Sequence, residues 1–320
     1  MPRSLQSLPV SMTAAASSVD LLRALAPQEG YNLTALPDVR VLRSDRPLTE
    51  TPVLYDPGIV IVCQGAKRGH FGESVFVYDE QHYLSVAVPV PFTMQSDGSA
   101  ERPLLALYLH LDFQLAAGLL VELDQAGPVP LAQAPASMLS SPMDDTMRQI
   151  VQRLLQALSR PLDAAILGRA LVRELYFRVL TGPQGHGLRA ALAQQGHFGR
   201  IGRALQRIHR DHARRLDVAQ LAREAGMSTA SFHAHFKAVT QVAPMQYLKS
   251  IRLHQARLLM AREGMTAAAA GHAVGYESPS QFTREFKRLF GRPPMAEARR
   301  LRADFAVPPA MPGAAFVASH

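Results

Sequence analysis

Ala222-Arg-Glu-Ala-Gly226-Met-Ser228, followed by Ser231-Phe232 and Phe236-Lys237, returns as Gly271-His-Ala-Val-Gly275-Tyr-Glu-Ser278, followed by Gln281-Phe282 and Phe286-Lys287. The offset is 49 residues at the glycines, 50 at the phenylalanines, and still 50 at Pro244-Met245 and Pro294-Met295. Each copy reads as a short helix, a glycine turn and a second amphipathic helix, the sequence form of a helix-turn-helix. Asp217 is placed to cap the first helix of copy one, with Gln220 positioned to complete a capping box. Ala222 stands where that helix must approach its partner closely, and Gly226 suits a left-handed turn. In copy two, Ser278 caps, Pro279 takes the first helical position and Gln281 follows three residues after the cap.

Helical spacing turns Phe232, Phe236 and Val239 inward in copy one, and Phe282, Phe286 and Leu289 or Phe290 in copy two. The opposite faces carry Ser228, Thr229, Ala230, His233, Ala234 and Lys237, then Ser278, Ser280, Gln281, Arg284, Lys287 and Arg288. These are the residues that would enter a major groove. Arg284 is the long guanidinium at the centre of its face and suits a bidentate contact with a guanine edge. Lys287 and Arg288, one turn on, suit phosphates. Between the copies, residues 244–260 read as a helix about 24 Å long. A spacer of that length could hold two recognition helices one DNA turn apart, roughly 34 Å.

Charge agrees with this division. Residues 197–302 carry 19 Lys and Arg against 7 Asp and Glu, whereas residues 1–196 carry 15 against 18. Only the basic third is suited to a polyanion. No apolar run reaches the roughly 18 residues of a membrane helix. Residues 1–20 lack the continuous apolar stretch of a secretory signal. The single cysteine, Cys63, allows no intrachain disulfide and fits a reducing cytoplasm, where a DNA-binding chain is expected to be nucleoid-associated.

Upstream, Val39–Leu42, Ile59–Val62, Val75–Tyr78, Tyr83–Val88 and Leu104–Leu111 are strand-like runs set off by turn residues, which argues for a β-sandwich or small barrel. After Asp112 the period becomes helical: Ile150, Leu154, Leu155 and Leu158, then Leu167, Leu171 and Leu175. Those stripes suit either core or a dimer seam. The fold class expected is α+β. Its parts are a flexible N-terminus (1–25), a barrel with accessory helices from about 113 (26–181), a Gly/Pro linker (182–196), an all-α double helix-turn-helix domain (197–302) and a disordered tail (303–320).

Residues 275–294 resemble the signature segment of AraC/XylS-type transcriptional regulators, and residues 251–260 resemble their linker helix. The resemblance implies binding of double-stranded promoter DNA by both copies and an effect on RNA polymerase. Ala230 and Ala234 stand where relatives often carry larger polar side chains, so copy one would read a thymine methyl or DNA shape. Gly271 replaces a usual Ala, at an expected cost in helix stability. Tyr55–Arg68, Phe76–Asp79, Tyr83–Val86 and Glu101–Pro103 resemble the cupin-like N-terminal domain of one AraC-type subgroup. That likeness implies a sensor for an unidentified small-molecule effector and allows a homodimer.

No cofactor is expected. His70, His82 and His110 lack the spacing of a metal cupin and are expected on the surface or lining the barrel lumen; His209, His212, His233 and His235 offer no third ligand and are expected on the surface or facing phosphate. Cys63 is the candidate effector contact if its thiolate is exposed near Lys67 or Arg68, and otherwise a core residue. Nothing supports catalysis, so an enzyme is not expected. Open alternatives are a constitutive regulator with a structural barrel, a cupin-type enzyme fused to a DNA-binding module, and Cys63 as an alkyl acceptor.

Overall fold

The computed structural model of the protein describes residues 16–127, 135–193 and 196–304. Residues 1–15 of the expected flexible N-terminus, 194–195 of the linker and 305–320 of the tail lie outside the described residues.

Nine strands form one antiparallel sheet: β1 (Gly30–Leu33), β2 (Val39–Ser44), β3 (Leu48–Tyr55), β4 (Gly58–Gln64), β5 (Ala66–Phe71), β6 (Ser74–Asp79), β7 (His82–Val86), β8 (Val90–Asp97) and β9 (Leu104–His110). Their order is β1-β2-β9-β4-β7-β6-β5-β8-β3, and a tenth strand, β10 (Met138–Pro142), pairs with β7. The sheet curls until its two ends approach: Tyr55 on β3 lies near enough to Tyr31 on β1 to help burial raise the Tyr31 pKa. Sequence alternation explains the curl's inside. On β8, Val90, Phe92, Met94 and Ser96 are buried while their neighbours are not.

The interior also holds a titratable amine. Lys67 is 1% exposed and donates to Tyr55 Oη (3.1 Å), which lies 3.1 Å from Tyr78 Oη. Burial holds its ammonium down to about 7.

Helices α1 (Ser18–Leu25), α2 (Phe113–Ala126), α3 (Asp145–Leu158) and α4 (Pro161–Thr181) accompany the sheet. Helix α1 corrects the expectation of a flexible stretch to residue 25: a capping box at Ser17 and Asp20 starts it, and Leu22 is fully buried. The apolar stripe of α3 is core throughout. Helix α4 buries Leu171 and Leu175 but leaves Leu162, Ile166 and Leu167 exposed.

The Gly/Pro linker is also corrected. After the break at Gly182, Gly185 opens a further helix, α5 (Gly185–Leu192). Gly185 packs so tightly under the Leu180 carbonyl that a Cβ would collide with it. Its glycine serves close approach, not freedom.

The C-terminal region contains α6 (Gly196–Asp211), α7 (Val218–Glu224), α8 (Thr229–Thr240), α9 (Pro244–Arg262), α10 (Ala267–Ala273), α11 (Pro279–Phe290) and α12 (Pro294–Asp304). Helix α9, about 28 Å long, is the spacer between the copies. Tyr247, Leu248 and Ile251 belong to a core that runs unbroken from the sheet through α6–α8. Leu253, Ala256 and Met260 belong to a second core with α10–α12. No described helix is long and apolar enough to cross a membrane.

Two polar contacts fasten the sheet to the helices. Ser137 Oγ donates to Val239 O (2.6 Å). Tyr247 Oη donates to Pro89 O (3.0 Å) and lies 2.7 Å from His209 Nε2. Tyr247 has one proton and spends it on Pro89, so His209 must donate through Nε2 and be neutral at Nδ1. Burial, reinforced by the nearby His212, holds His209 down to about 3. His209 is therefore neither on the surface nor facing phosphate, which corrects the sequence expectation. Tyr247→Phe would strand two buried polar groups. It should destabilise the full chain by about 1–3 kcal/mol, read as a lower urea midpoint; an unchanged midpoint would remove this contact as a fastening.

Candidate nucleic-acid interface

The two copies fold alike down to individual hydrogen bonds. Gly226 N donates to Arg223 O and Met227 N to Ala222 O (both 2.9 Å). Forty-nine residues on, Gly275 N donates to His272 O and Tyr276 N to Gly271 O (both 3.0 Å). Gly226 and Gly275 have φ of 64° and 90°, the left-handed region each turn needs. Ser228 Oγ then accepts from Ser231 N, and Ser278 Oγ from Gln281 N, at 3.3 Å each. The recognition helices end in left-handed residues fifty apart, Gln241 and Gly291.

Phe232 and Phe236, then Phe282, Phe286 and Phe290, are buried as the spacing predicts; Leu289 is only half-buried. Burying each phenylalanine stabilises the helix's seat by about 2–3 kcal/mol. The opposite faces stay open. Ser228, Thr229, Ala230, His233, Ala234 and Lys237 are exposed on unit one, and Ser278, Ser280, Gln281, Arg284, Lys287 and Arg288 on unit two. The side chains of Arg284, Lys287 and Arg288 make no hydrogen bond or ion pair among the described residues.

Three local expectations change. Asp217 caps α7 by accepting from Ala219 N (2.7 Å), but Gln220 turns to Glu224 Oε1 (3.0 Å) instead of closing a capping box. Gly271 packs closely, because a Cβ there would come 3.0 Å from the Phe282 ring, and an alanine would need that ring to shift by a few tenths of an ångström. Cys63 lies half-buried on β4, and burial, with the Glu80 charge adding to it, pushes its thiol up to about 12. Lys67 turns inward to Tyr55 and not toward it. The exposed thiolate that sensing requires is disfavoured.

Three polar joints escaped the sequence reading. Arg252 on α9 donates to His212 O (2.7 Å), Arg214 O (2.8 Å) and Gly275 O (3.3 Å), tying the turn of unit two to the loop before α7. Glu285, inward on α11, accepts from Tyr276, Lys249 and Gln281. Arg257, 2% exposed, lies over the Phe290 ring (4.6 Å) and pairs with Glu297 (3.5 Å). The signal for Arg257 and Glu285 was present as charges at positions where helical spacing faces inward. His70 and His82 are exposed and His110 half-buried on three different strands, β5, β7 and β9. His197 stacks on His235, with ring centroids 3.9 Å apart.

Comparison with known proteins agrees with this geometry. A family model described as the AraC-type transcriptional regulator N-terminus matches residues 35–187, and a helix-turn-helix domain model matches residues 221–300. A curated AraC-like transcription regulator of Streptomyces lividans is 31% identical over 171 residues, covering 52% of this chain and 54% of that protein. The transcriptional activator RclR of Escherichia coli is 33% identical over 103 residues, 32% of this chain and 36% of that protein. The chain thus matches about half or less of the length of these curated relatives. Among solved structures, ToxT of Vibrio cholerae with an unsaturated fatty acid bound shares the fold: TM-score 0.58, covering 88% of this chain and 100% of that one, at 10% identity.

The two turns make a differential test. A Cβ at Gly226 meets only the Arg200 guanidinium, at an ordinary 3.8 Å, whereas at Gly275 it would come 2.5 Å from Ala213 O. Asn tolerates the left-handed region. Gly226→Asn should therefore shift the melting midpoint little, and Gly275→Asn should lower it by several degrees, corresponding to about 1–3 kcal/mol. Equal shifts would show that the Arg252 joint does not hold the second turn closely.

Proposed function

We propose, from the premise that this chain belongs to the AraC/XylS-type transcriptional regulators, that it binds promoter DNA sequence-specifically through both helix-turn-helix units and answers a small-molecule effector held by its N-terminal domain. The observation that carries this reading is the pair of matching turn-helix units, each with its outer face exposed, held on one largely buried spacer helix. Such faces offer donors and cations to a major groove and its flanking phosphates.

Within that reading, unit two supplies most of the discrimination. Arg284 takes a guanine edge in bidentate fashion, and Lys287 and Arg288 take phosphates. Unit one, with Ala230 and Ala234 at the centre of its face, contributes methyl contact and shape, with Thr229, His233 and Lys237 around them. Ser228, Ser278 and Ser280 lie at the helix N-termini, where a phosphate oxygen is favoured. The region 197–302 is the DNA-binding part and 26–181 the sensing part. RNA polymerase is the partner through which binding changes transcription, in the cytoplasm at the nucleoid. The exposed Leu162, Ile166 and Leu167 of α4 offer a face for a homodimer.

The effector acts by differing in affinity for two arrangements of the domains. ToxT, similar in fold, is described with a fatty acid bound, which supports a small-molecule effector class here. The route from sensor to DNA runs through the joint that Tyr247 and His209 make with Pro89.

Binding to selected and random duplexes across a salt series tests the assignment. Arg284→Ala should lose about 1–3 kcal/mol of preference at one base position. Lys287→Ala should weaken all sequences alike and flatten the salt slope. Equal loss on specific and random DNA for Arg284→Ala would remove Arg284 as a base reader.

A further inference from the structure

On the outward face of α11, the fold dictates the orientation of one side chain from below. Glu285 follows Gln281 by one turn, yet it is only 8% exposed. Its carboxylate accepts from Tyr276 Oη (2.8 Å), Lys249 Nζ (3.1 Å) and Gln281 Nε2 (3.2 Å). Burial raises its pKa, but the three hydrogen bonds and the Lys249 charge outweigh that and hold it below the ordinary carboxylate value. An ionised carboxylate accepts only. It can receive the NH2 end of an amide and repels the carbonyl end. The terminal torsion of a glutamine is otherwise broad and two-fold, so an unsupported amide flips readily.

We infer that Glu285 locks the Gln281 amide with Oε1 and the second Nε2 proton facing outward, and that this acceptor–donor pair reads an adenine beside the base taken by Arg284. Adenine presents an N6 donor and an N7 acceptor in the major groove, the complement of that pair. Guanine presents two acceptors there and gives the Gln281 carbonyl no donor. The inference rests on α11 being the DNA-reading helix of unit two. Gln281 is the contact residue, and Glu285 and Lys249 are positioning residues, Lys249 anchoring the lock to the spacer helix. Unit one has no counterpart. The fifty-residue offset places Ser231 and His235 at these positions, and His235 is occupied in its stack on His197.

The test uses the full chain. Binding sites are selected from random duplexes with the wild type, and all four bases are then compared at each position for wild type, Arg284→Ala, Gln281→Ala and Glu285→Gln. The wild type should prefer adenine at a position adjacent to the one that Arg284→Ala relaxes. Gln281→Ala, an exposed substitution, should abolish that preference by about tenfold or more and keep the others. Glu285→Gln can donate as well as accept, so the Gln281 amide regains its flip. The adenine preference should then drop severalfold, with the Arg284 position and the salt slope unchanged and the melting midpoint confirming the fold. An adenine preference that survives Gln281→Ala overturns the inference, as does a Glu285→Gln variant that loses every position equally. A wild type that binds all sequences alike would instead overturn the DNA-reading function, and the lock with it.

Discussion

A helix of 19 residues that buries eleven of them and is exposed at Met245 and Gln246, α9, is the constraint on which the rest of the molecule depends. Tyr247, Leu248 and Ile251 bind it into the core shared with the sheet, and Leu253, Ala256 and Met260 into the core of the second unit. His254 and Arg257 are buried on the faces between. A helix that belongs to two cores at once cannot rotate or slide without opening one of them, because packed interiors have little free volume. The two recognition helices therefore share one rigid reference, and the sheet is fastened to it.

The buried polar groups follow the same logic. At the joints they are paired: Tyr247 with Pro89 and His209, Arg252 with three carbonyls, Glu285 with three donors, Arg257 with Glu297. Each pairing has a direction, because a carboxylate or carbonyl only accepts, and that direction fixes geometry that apolar packing leaves loose. On the recognition faces the pattern reverses, and Arg284, Lys287 and Arg288 are left unpaired among the described residues. Charges spent inside specify the fold, and charges left outside are free for a ligand. The seam between sheet and α9 is intermediate: Asp56 and the half-buried Arg40 and Arg262 lie near one another, with buried Oδ1 and Nε atoms that find no hydrogen-bond partner among the described residues. Burial pushes Asp56 up to about 8, against the pull of Arg40 and Arg262.

The double helix-turn-helix was legible because its determinants are local. A left-handed glycine, a capping serine and phenylalanines at i and i+4 act within one turn of chain, and each appears in the structure where the repeat puts it. Much of the sheet was legible for the same reason, through β-branched runs at β2, β4, β6, β7 and β9. The strands that were missed, β3, β5 and β8 among them, carry residues such as Lys67, Ser96 and the Thr-Glu-Thr-Pro stretch of β3, which look like loop until a curled sheet gives them an inside.

The sequence by itself determined the two reading units, the spacer between them, the outward faces and the division of charge, all of which follow from periodicities of two and 3.6 residues and from turn chemistry. Only the tertiary structure decided that residues 185–192 are helical, that Gly271 lies close against a phenylalanine ring, that Cys63 is a half-buried thiol, and that His209, Arg252 and Glu285 are joints. Each of those depends on a partner many residues away or on burial by another element. A one-dimensional pattern carries no record of which distant atom will complete a hydrogen bond, or of which glycine will meet a wall.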